Sequence, residues 1–173
     1  MTPVAAPAAP RPRVRVAWPP PVDVALAAAF LALNSVEAVT GGGPRPLAVH
    51  LLVGGVAMVA LAWRRRFPLV VALLVVAANV VVNPEGQFSP VLSLVLVAYS
   101  VGGYARPPQD LLGLTVLAGG MTIASVLGGL EPSDLAAVLV FVGGSWAVGR
   151  LVQQRSAHAA AAEARAARAD EER

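Results

Sequence analysis

Six apolar runs, separated by short polar or Gly/Pro-rich stretches, dominate the pattern of hydrophobic and polar positions. They cover roughly Val22–Val39, Leu47–Trp63, Leu69–Asn83, Phe88–Tyr104, Leu111–Leu130 and Asp134–Val152. About 20 helical residues, with a range near 17–25, cross the hydrocarbon core of a bilayer. Five runs fit that range with their flanks; the short third run either gains Phe67 and Pro68 or pairs with the fourth as a tight hairpin. The pattern predicts an all-α, polytopic membrane bundle of about six transmembrane helices, with four or five as the alternative.

The composition of the chain favours the same environment. Hydrophobic residues make up 57% of the 173 residues and charged residues only 13%, whereas a soluble domain carries about 25% charged residues. We therefore expect the lipid bilayer to cover much of the surface. The chain has no cysteine, which excludes disulfides and thiolate metal sites, and no cofactor is predicted. Arginines beside apolar runs set membrane topology, so nucleic acid is not an expected partner.

Three parts follow one another along the chain. Residues 1–21 are rich in proline and arginine, and repeated proline blocks regular structure, so a disordered cytoplasmic arm is expected there. Residues 22–152 form the predicted transmembrane helical domain. Residues 153–173 contain no proline, glycine or β-branched residue, and alanine, arginine and glutamate are good helix formers. This last part is predicted to continue the sixth helix into the cytoplasm without a break.

Arginines are distributed unevenly between the two sides of the predicted bundle. With the N-terminus inside, the cytoplasmic segments contain most of them and the outer loops contain one, as the positive-inside rule predicts. The cytoplasmic set includes Arg11, Arg13, Arg15, Arg64, Arg65, Arg66, Arg106, Arg150 and Arg155, and the outer residue is Arg45. We expect a multi-pass protein of the cell (plasma) membrane with both termini in the cytoplasm.

Glu37 and His50 are the candidate polar pair of the predicted bundle. Glu37 lies near the outer end of the first span and His50 near the outer start of the second, and a short Gly/Pro turn joins these spans. An ionisable group within a span is a functional hypothesis by default, and this pair would respond to pH or bind a cation. The alternative is that both side chains lie at headgroup level and are simply hydrated.

Small residues recur at helical spacing in the last two spans. The candidate packing positions are Gly120, Ala124 and Gly128 in the fifth run and Gly143 and Ala147 in the sixth. Small residues four apart let helix backbones approach closely in a membrane. This spacing fits either a dimer face or packing within one bundle.

Beyond the sixth run, mainly alanines follow the 3–4 spacing of a coiled-coil seam, which Arg155 interrupts. The seam comprises Val152, Ala159, Ala162, Ala166 and Ala169. A seam of alanines buries little area, so it predicts a weak coiled coil; a solvated single helix is the alternative. Acidic residues at positions 170–172 oppose the helix dipole, and no glycine cap follows. We therefore expect a helix that continues beyond Arg173 in a parent protein.

The order of these parts resembles the N-terminal membrane domain of actinobacterial sensor histidine kinases of the nitrate-response type. The resemblance rests on "WPPPVDVALAAAFLAL", "RRRFPLVVALLV", "VLSLVLVAYSVGGYARP" and "QQRSAHAAAAEARAARADEER". In that family an Ala/Arg/Glu-rich helix ending near "EER" leads into the helix with the phospho-accepting histidine. The resemblance implies a membrane input domain of a two-component system, a homodimer, and a kinase core in cis or in trans through which a response regulator is reached.

The chain departs from that family at the residues that carry its chemistry. The histidine–acid phospho-acceptor motif "ELHD" is absent, and His158 stands in "SAHAAAA" without the acid. The asparagine and glycine boxes of the ATP-binding domain are absent as well, and no other catalytic motif is present. We therefore expect this chain not to be an enzyme. The alternative to an input domain is a small stand-alone membrane protein, transporter-like or a scaffold, with a partner-binding cytoplasmic tail.

Overall fold

The computed structural model describes residues 18–41, 46–82, 87–128 and 131–172, with side chains of the last segment described to residue 169. This part of the chain is all-α and contains no strand. Its six helices are α1 (Pro21–Thr40), α2 (Leu47–Trp63), α3 (Pro68–Val82), α4 (Phe88–Tyr104), α5 (Gln109–Gly128) and α6 (Pro132–Glu172). The predicted all-α class is therefore confirmed, and the described residues of each predicted apolar run lie on one helix.

Prolines mark where several helices begin. Pro21, Pro68 and Pro132 are the first residues of α1, α3 and α6. A proline at the first helical position has the required φ and lacks only an N–H that would have no partner there. The short third run thus gains Pro68, and α1 begins at the last residue of the predicted arm. Most of that arm, residues 1–17, lies outside the described residues.

Successive helices run in opposite directions and give the bundle two distinct ends. Asp23, Arg64, Tyr104, Asp110 and Arg150 lie at one end, here called the arginine end. The opposite end, called the Glu37 end, holds the C-terminal part of α1 and the start of α4. Between these ends, the largest fully buried apolar side chains of the described residues are Leu61, Val71, Val75, Leu94, Val97, Val101, Leu117 and Val142.

The outer surface of the bundle is apolar as well. Large hydrophobic side chains more than half exposed include Leu52, Leu73, Leu112, Val126, Val140 and Phe141. Three helices, α1, α5 and α6, are long and apolar enough to cross a membrane, while α2, α3 and α4 are shorter apolar helices. These properties are consistent with the expected membrane protein.

Two helices have features that bear on function. α2 changes its winding, being π-helical over His50–Gly54 and ending in a 3₁₀ turn, Leu61–Trp63. α6 is a single helix of 41 residues. Its first part packs in the bundle and its second part extends beyond the arginine end, as the uninterrupted tail pattern predicts.

Candidate functional site

At the Glu37 end, the carboxylate of Glu37 joins α1 to α4. Its two oxygens accept hydrogen bonds from the backbone N–H groups of Phe88, at 2.9 Å, and Ser89, at 3.1 Å. These N–H groups begin α4 and have no partner within their own helix. A carboxylate is favourable at that position because it also interacts with the positive end of the helix dipole. Glu37 thus caps a helix distant from it in sequence.

His50, the predicted partner of Glu37, is buried beside a different set of polar groups. It is 5% exposed and begins the π-helical turn of α2, and such turns frequently occur at functional sites. It lines a small cavity together with Asn34 on α1 and Asn79 on α3. Within the described part of the chain, Glu37 and His50 share neither a hydrogen bond nor an ion pair. The structure therefore places both at one end, with Glu37 bonded to backbone and His50 turned into the bundle.

Asn34 has the least satisfied side chain of this cavity. Its Nδ2 is buried with no hydrogen-bond partner among the described residues. A Cβ built on Gly54 would lie 2.8 Å from Asn34 Oδ1, so a larger residue there would force the Asn34 side chain to move. By contrast, Asn79 donates to the carbonyl of Val75 at 2.8 Å. The cavity volume, about 10 Å³, is close to the space that one water molecule needs.

At the arginine end, a fully buried carboxylate joins α1 to the end of α2. Asp23 Oδ1 accepts a hydrogen bond from Arg64 Nη2 at 2.6 Å, and Asp23 Oδ2 lies 2.6 Å from Arg65 Nε. The guanidinium of Arg65 also lies 5.5 Å from the centroid of the Tyr104 ring. Arg64 and Arg65 of the predicted topology triplet therefore form tertiary contacts, whereas no described ion pair involves the third member, Arg66.

A second ion pair fastens α6 where it leaves the bundle. Asp110, in the first turn of α5, pairs with Arg150 on α6. The Arg150 guanidinium lies 5.9 Å from the centroid of the Trp146 ring. One turn later, Gln153 Nε2 donates to the carbonyl of Ala105 at 3.4 Å. The exit of α6 is thus held by polar contacts to both ends of the α4–α5 connection.

Glycines allow α4 and α6 to cross at close range just inside that ion pair. A Cβ at Gly102 would collide with the carbonyl oxygen of Trp146, and a Cβ at Gly149 would collide with that of Tyr99. This backbone-to-backbone contact is the one that small residues permit in membrane bundles. It joins the exit of α6 directly to the end of α4.

The predicted packing positions divide into two groups. A Cβ at Gly120 would collide with Val76 of α3, and Ala124 is buried, so this stripe packs within the bundle; Gly128, further along α5, is half-buried. A Cβ at Gly143 would meet no described atom within 4 Å, and Ala147 is exposed. This part of α6 is thus uncovered within the described single chain.

The predicted tail seam is exposed along its whole length. Val152, Ala159, Ala162, Ala166 and Ala169 are all accessible. Going back from Val152 by four, three and four residues gives Val148, Ser145 and Phe141, which lie on the same face of α6. These three line an open groove of about 530 Å³ together with Phe30 on α1 and with Leu92, Val95, Leu96 and Tyr99 on α4. The seam therefore continues toward the N-terminus of α6 into an uncovered apolar groove of the bundle.

Three contacts of the arginine end do not follow from the sequence reasoning: Asp23 with Arg64 and Arg65, Asp110 with Arg150, and the Gly102–Gly149 crossing. The available signal was an acid in the first turn of an apolar helix, at Asp23 and again at Asp110. A buried acid in this position needs a cationic partner. Because neighbouring helices are antiparallel, the start of one helix lies beside the end of the next, where the arginines are. The described residues contain no group of three or more His, Asp or Glu side chains that could hold a metal ion.

Comparison with known proteins gives a family and no activity. Residues 13–156 match the family model described as "Domain of unknown function (DUF7134)", so the chain belongs to that family. That description does not mention sensor kinases. The comparison therefore supports a single family domain over most of the chain, and the resemblance to a kinase input domain stays a prediction. No curated protein and no solved structure matches the chain significantly.

Proposed function

We propose that this DUF7134 chain is the membrane input domain of a two-component sensor histidine kinase, which passes a signal through α6 to a kinase core outside the chain. The observation that carries the proposal is the unbroken course of α6 from Pro132 to Glu172. The part of α6 beyond Arg150 rises about 1.5 Å per residue and so spans on the order of 30 Å. Movement of the bundle end of this helix displaces its far end.

The arrangement of the helices supports a six-span membrane placement. Successive helices alternate in direction, and their exposed faces are apolar. Every described arginine lies at the arginine end or on the tail beyond it, while Glu37, Glu131 and Asp134 lie at the opposite end. By the positive-inside rule the arginine end faces the cytoplasm, together with both termini. The shorter helices, such as the 15-residue α3, fit by local thinning of the bilayer and snorkelling of flanking arginines.

The signalling form is a parallel homodimer with α6 of each copy at the interface. The seam from Val152 to Ala169 and the groove residues Phe141, Ser145 and Val148 share one face and one heptad register. In a two-fold dimer the same surface serves both copies, so Phe141 of each copy enters the groove of the other. Alanine contacts in the tail are weak, which lets the paired helices shift at small cost.

Cysteine crosslinking in membranes tests the dimer. The chain contains no cysteine, so single substitutions report one contact each. Ala159→Cys and Ala166→Cys lie on the seam, and Ala164→Cys, on the opposite side of the same helix turns, is the matched control. We expect oxidation to give disulfide-linked dimers from the two seam variants and few from the control. Equal yields at all three positions, or none on the seam, contradict the dimer.

Fusion to a histidine kinase core tests signal transfer. In a series of seven fusions, one further helical residue is inserted after Arg173 each time. Each insertion rotates the kinase core relative to α6, and seven insertions complete one heptad. We expect autophosphorylation to rise and fall with a period of about 3.5 residues, and Ala161→Pro in the most active fusion to abolish this dependence. Activity that is the same at all seven lengths contradicts transfer through α6, whatever the crosslinking gives.

A further inference from the structure

A cleft at the arginine end lies between the segment that precedes α1 and the end of α2. It has a volume of about 270 Å³. Its lining combines two arginines with two tryptophans and three small side chains: Trp18, Pro19, Pro20, Ala62, Trp63, Arg65 and Arg66. This mixture of cationic and aromatic groups differs from the mainly apolar lining of the groove beside Phe141.

The cluster beside the cleft has an excess of positive charge. Arg64, Arg65 and Arg66 are consecutive, and Asp23 is the one carboxylate that pairs with them among the described residues. One carboxylate neutralises one of three guanidinium groups, which leaves a net charge of about +2. An anionic ligand would balance that charge where the bundle meets the bilayer surface.

Arg66 presents the free part of this charge. Its side chain is exposed, and no described residue forms a hydrogen bond or an ion pair with its guanidinium group. Its guanidinium carbon lies 5.5 Å from the centroid of the Phe67 ring, and an arginine stacked on a ring keeps its N–H edges available for a bidentate anion. Arg65 gives Nε and Nη2 to Asp23, so its Nη1 is left for the cleft.

Apolar surface continues from the cleft toward the Glu37 end. Trp63, Val59, Val56 and Leu52 recur at intervals of three to four residues along one face of α2, and all four are exposed. Val56 and Leu52 then line a groove of about 220 Å³ between α2 and α3. A molecule with an anionic head and long apolar chains can contact both the cationic cleft and the apolar face of α2. A soluble anion can contact only the cleft.

We propose that this cleft binds the phosphate of an anionic phospholipid, with the acyl chains along the Trp63–Leu52 face of α2. The inference rests on the membrane placement proposed above and is independent of any kinase. Arg66 and the free edge of Arg65 contact the phosphate oxygens as charge-assisted, bidentate partners. Trp63 and Trp18 lie at the level of the headgroups, which is where indole rings are enriched in membrane proteins.

Native mass spectrometry of the purified full chain tests the site. The probes are phosphatidylglycerol, zwitterionic phosphatidylcholine and soluble glycerol 3-phosphate. We expect phosphatidylglycerol to be retained over the other two, and Arg66→Gln to lower its apparent affinity about tenfold, the typical effect of one charge-assisted contact. Arg66→Lys keeps the charge without the planar fork and is expected to give an intermediate loss. Arg106→Gln removes an exposed arginine of the same end that does not line the cleft, and leaves affinity unchanged.

Three results would overturn the proposal. Equal losses in Arg66→Gln and Arg106→Gln mean diffuse attraction rather than a site. Glycerol 3-phosphate binding as tightly as phosphatidylglycerol means a soluble phosphate site. No preference for phosphatidylglycerol over phosphatidylcholine removes the anionic specificity. Carbonate extraction of cell membranes checks the placement separately, since release of the chain contradicts the membrane domain itself, whereas loss of lipid selectivity in a chain that stays inserted contradicts only the cleft.

Discussion

The Asp110 carboxylate on α5 and the Arg150 guanidinium on α6 form an ion pair whose two members differ sharply in exposure. The Asp110 side chain is 1% exposed and that of Arg150 is 30% exposed. An arginine can extend its aliphatic stem and keep its charge hydrated, but a short carboxylate at the start of α5 cannot reach water. Removing one partner therefore has different consequences on the two sides of the pair.

The first prediction concerns this asymmetry. Arg150→Met leaves a buried carboxylate without a partner and is expected to lower the free energy of unfolding by about 3–5 kcal/mol. Asp110→Asn leaves an arginine that turns to water and is expected to cost only about 1–2 kcal/mol. The double variant is expected to be more stable than Arg150→Met alone. Denaturation by SDS in mixed micelles measures all three, and equal losses in the two single variants would contradict the burial argument.

The second prediction concerns the crossing of α4 and α6. Gly102→Ala and Gly149→Ala each place a methyl group against a backbone carbonyl of the other helix, and backbone cannot move aside as a side chain can. We expect each to destabilise the bundle by about 1–3 kcal/mol or more. The matched control is Gly103→Ala, whose Cβ would lie 3.6 Å from its nearest neighbour, Gly149 O.

The control is expected to be neutral or stabilising by about 0.5–1 kcal/mol, because alanine is the better helix former. The same mixed-micelle assay applies. If Gly102→Ala and Gly103→Ala, which are neighbours in one helix, behaved alike, helix propensity rather than close crossing would be the cause.

The third prediction concerns the cap that Glu37 provides for α4. Glu37→Ala removes both acceptors and is expected to cost about 1–3 kcal/mol, while Glu37→Gln keeps one acceptor and loses less. Hydrogen exchange is the sharper measurement, because the amides of Phe88 and Ser89 should lose protection before the rest of α4. Glu131→Gln, an exposed carboxylate of the same end, serves as the control, and unchanged exchange at Phe88 and Ser89 in Glu37→Ala would exclude the cap.

The positions of the helices could be predicted from the sequence because they depend on local patterns. Apolar runs bounded by Pro, Gly or Arg placed every helix within a few residues, and the absence of breakers after Val152 predicted the continuous tail. The end of the bundle at which Glu37 and His50 lie was also predictable, since a short turn joins their helices. Each of these inferences needs only neighbours along the chain.

The contacts that organise the site could not be predicted in the same way because they are remote in sequence. The backbone amides that Glu37 caps are 51 and 52 residues away, and Asp23 is 41 residues from Arg64. The sequence analysis gave Arg64 and Arg65 a role in topology alone, and that role does not identify Asp23 as their partner. Similarly, Gly143 and Gly149 are both glycines of α6, and only the rotation of that helix decides that Gly149 is the one that meets α4.

The fourth prediction concerns the buried polar cavity of Asn34 and His50. A methyl group at position 54 would lie 2.8 Å from Asn34 Oδ1, whereas one at position 55 would lie 3.5 Å from Leu31 Cδ1, an ordinary contact. We therefore expect Gly54→Ala to destabilise the chain by about 1–3 kcal/mol and Gly55→Ala to be neutral or slightly stabilising.

The obstacle at position 54 is a side chain, and this allows a stricter test than the comparison with Gly55. In an Asn34→Ala background the colliding atom is gone, so Gly54→Ala should then cost almost nothing. The resulting coupling energy between positions 34 and 54, measured as a double-mutant cycle of unfolding free energies, is expected to be about 1–3 kcal/mol. Additive effects would mean that Gly54 is needed for the π-helical backbone itself rather than for the space it leaves to Asn34.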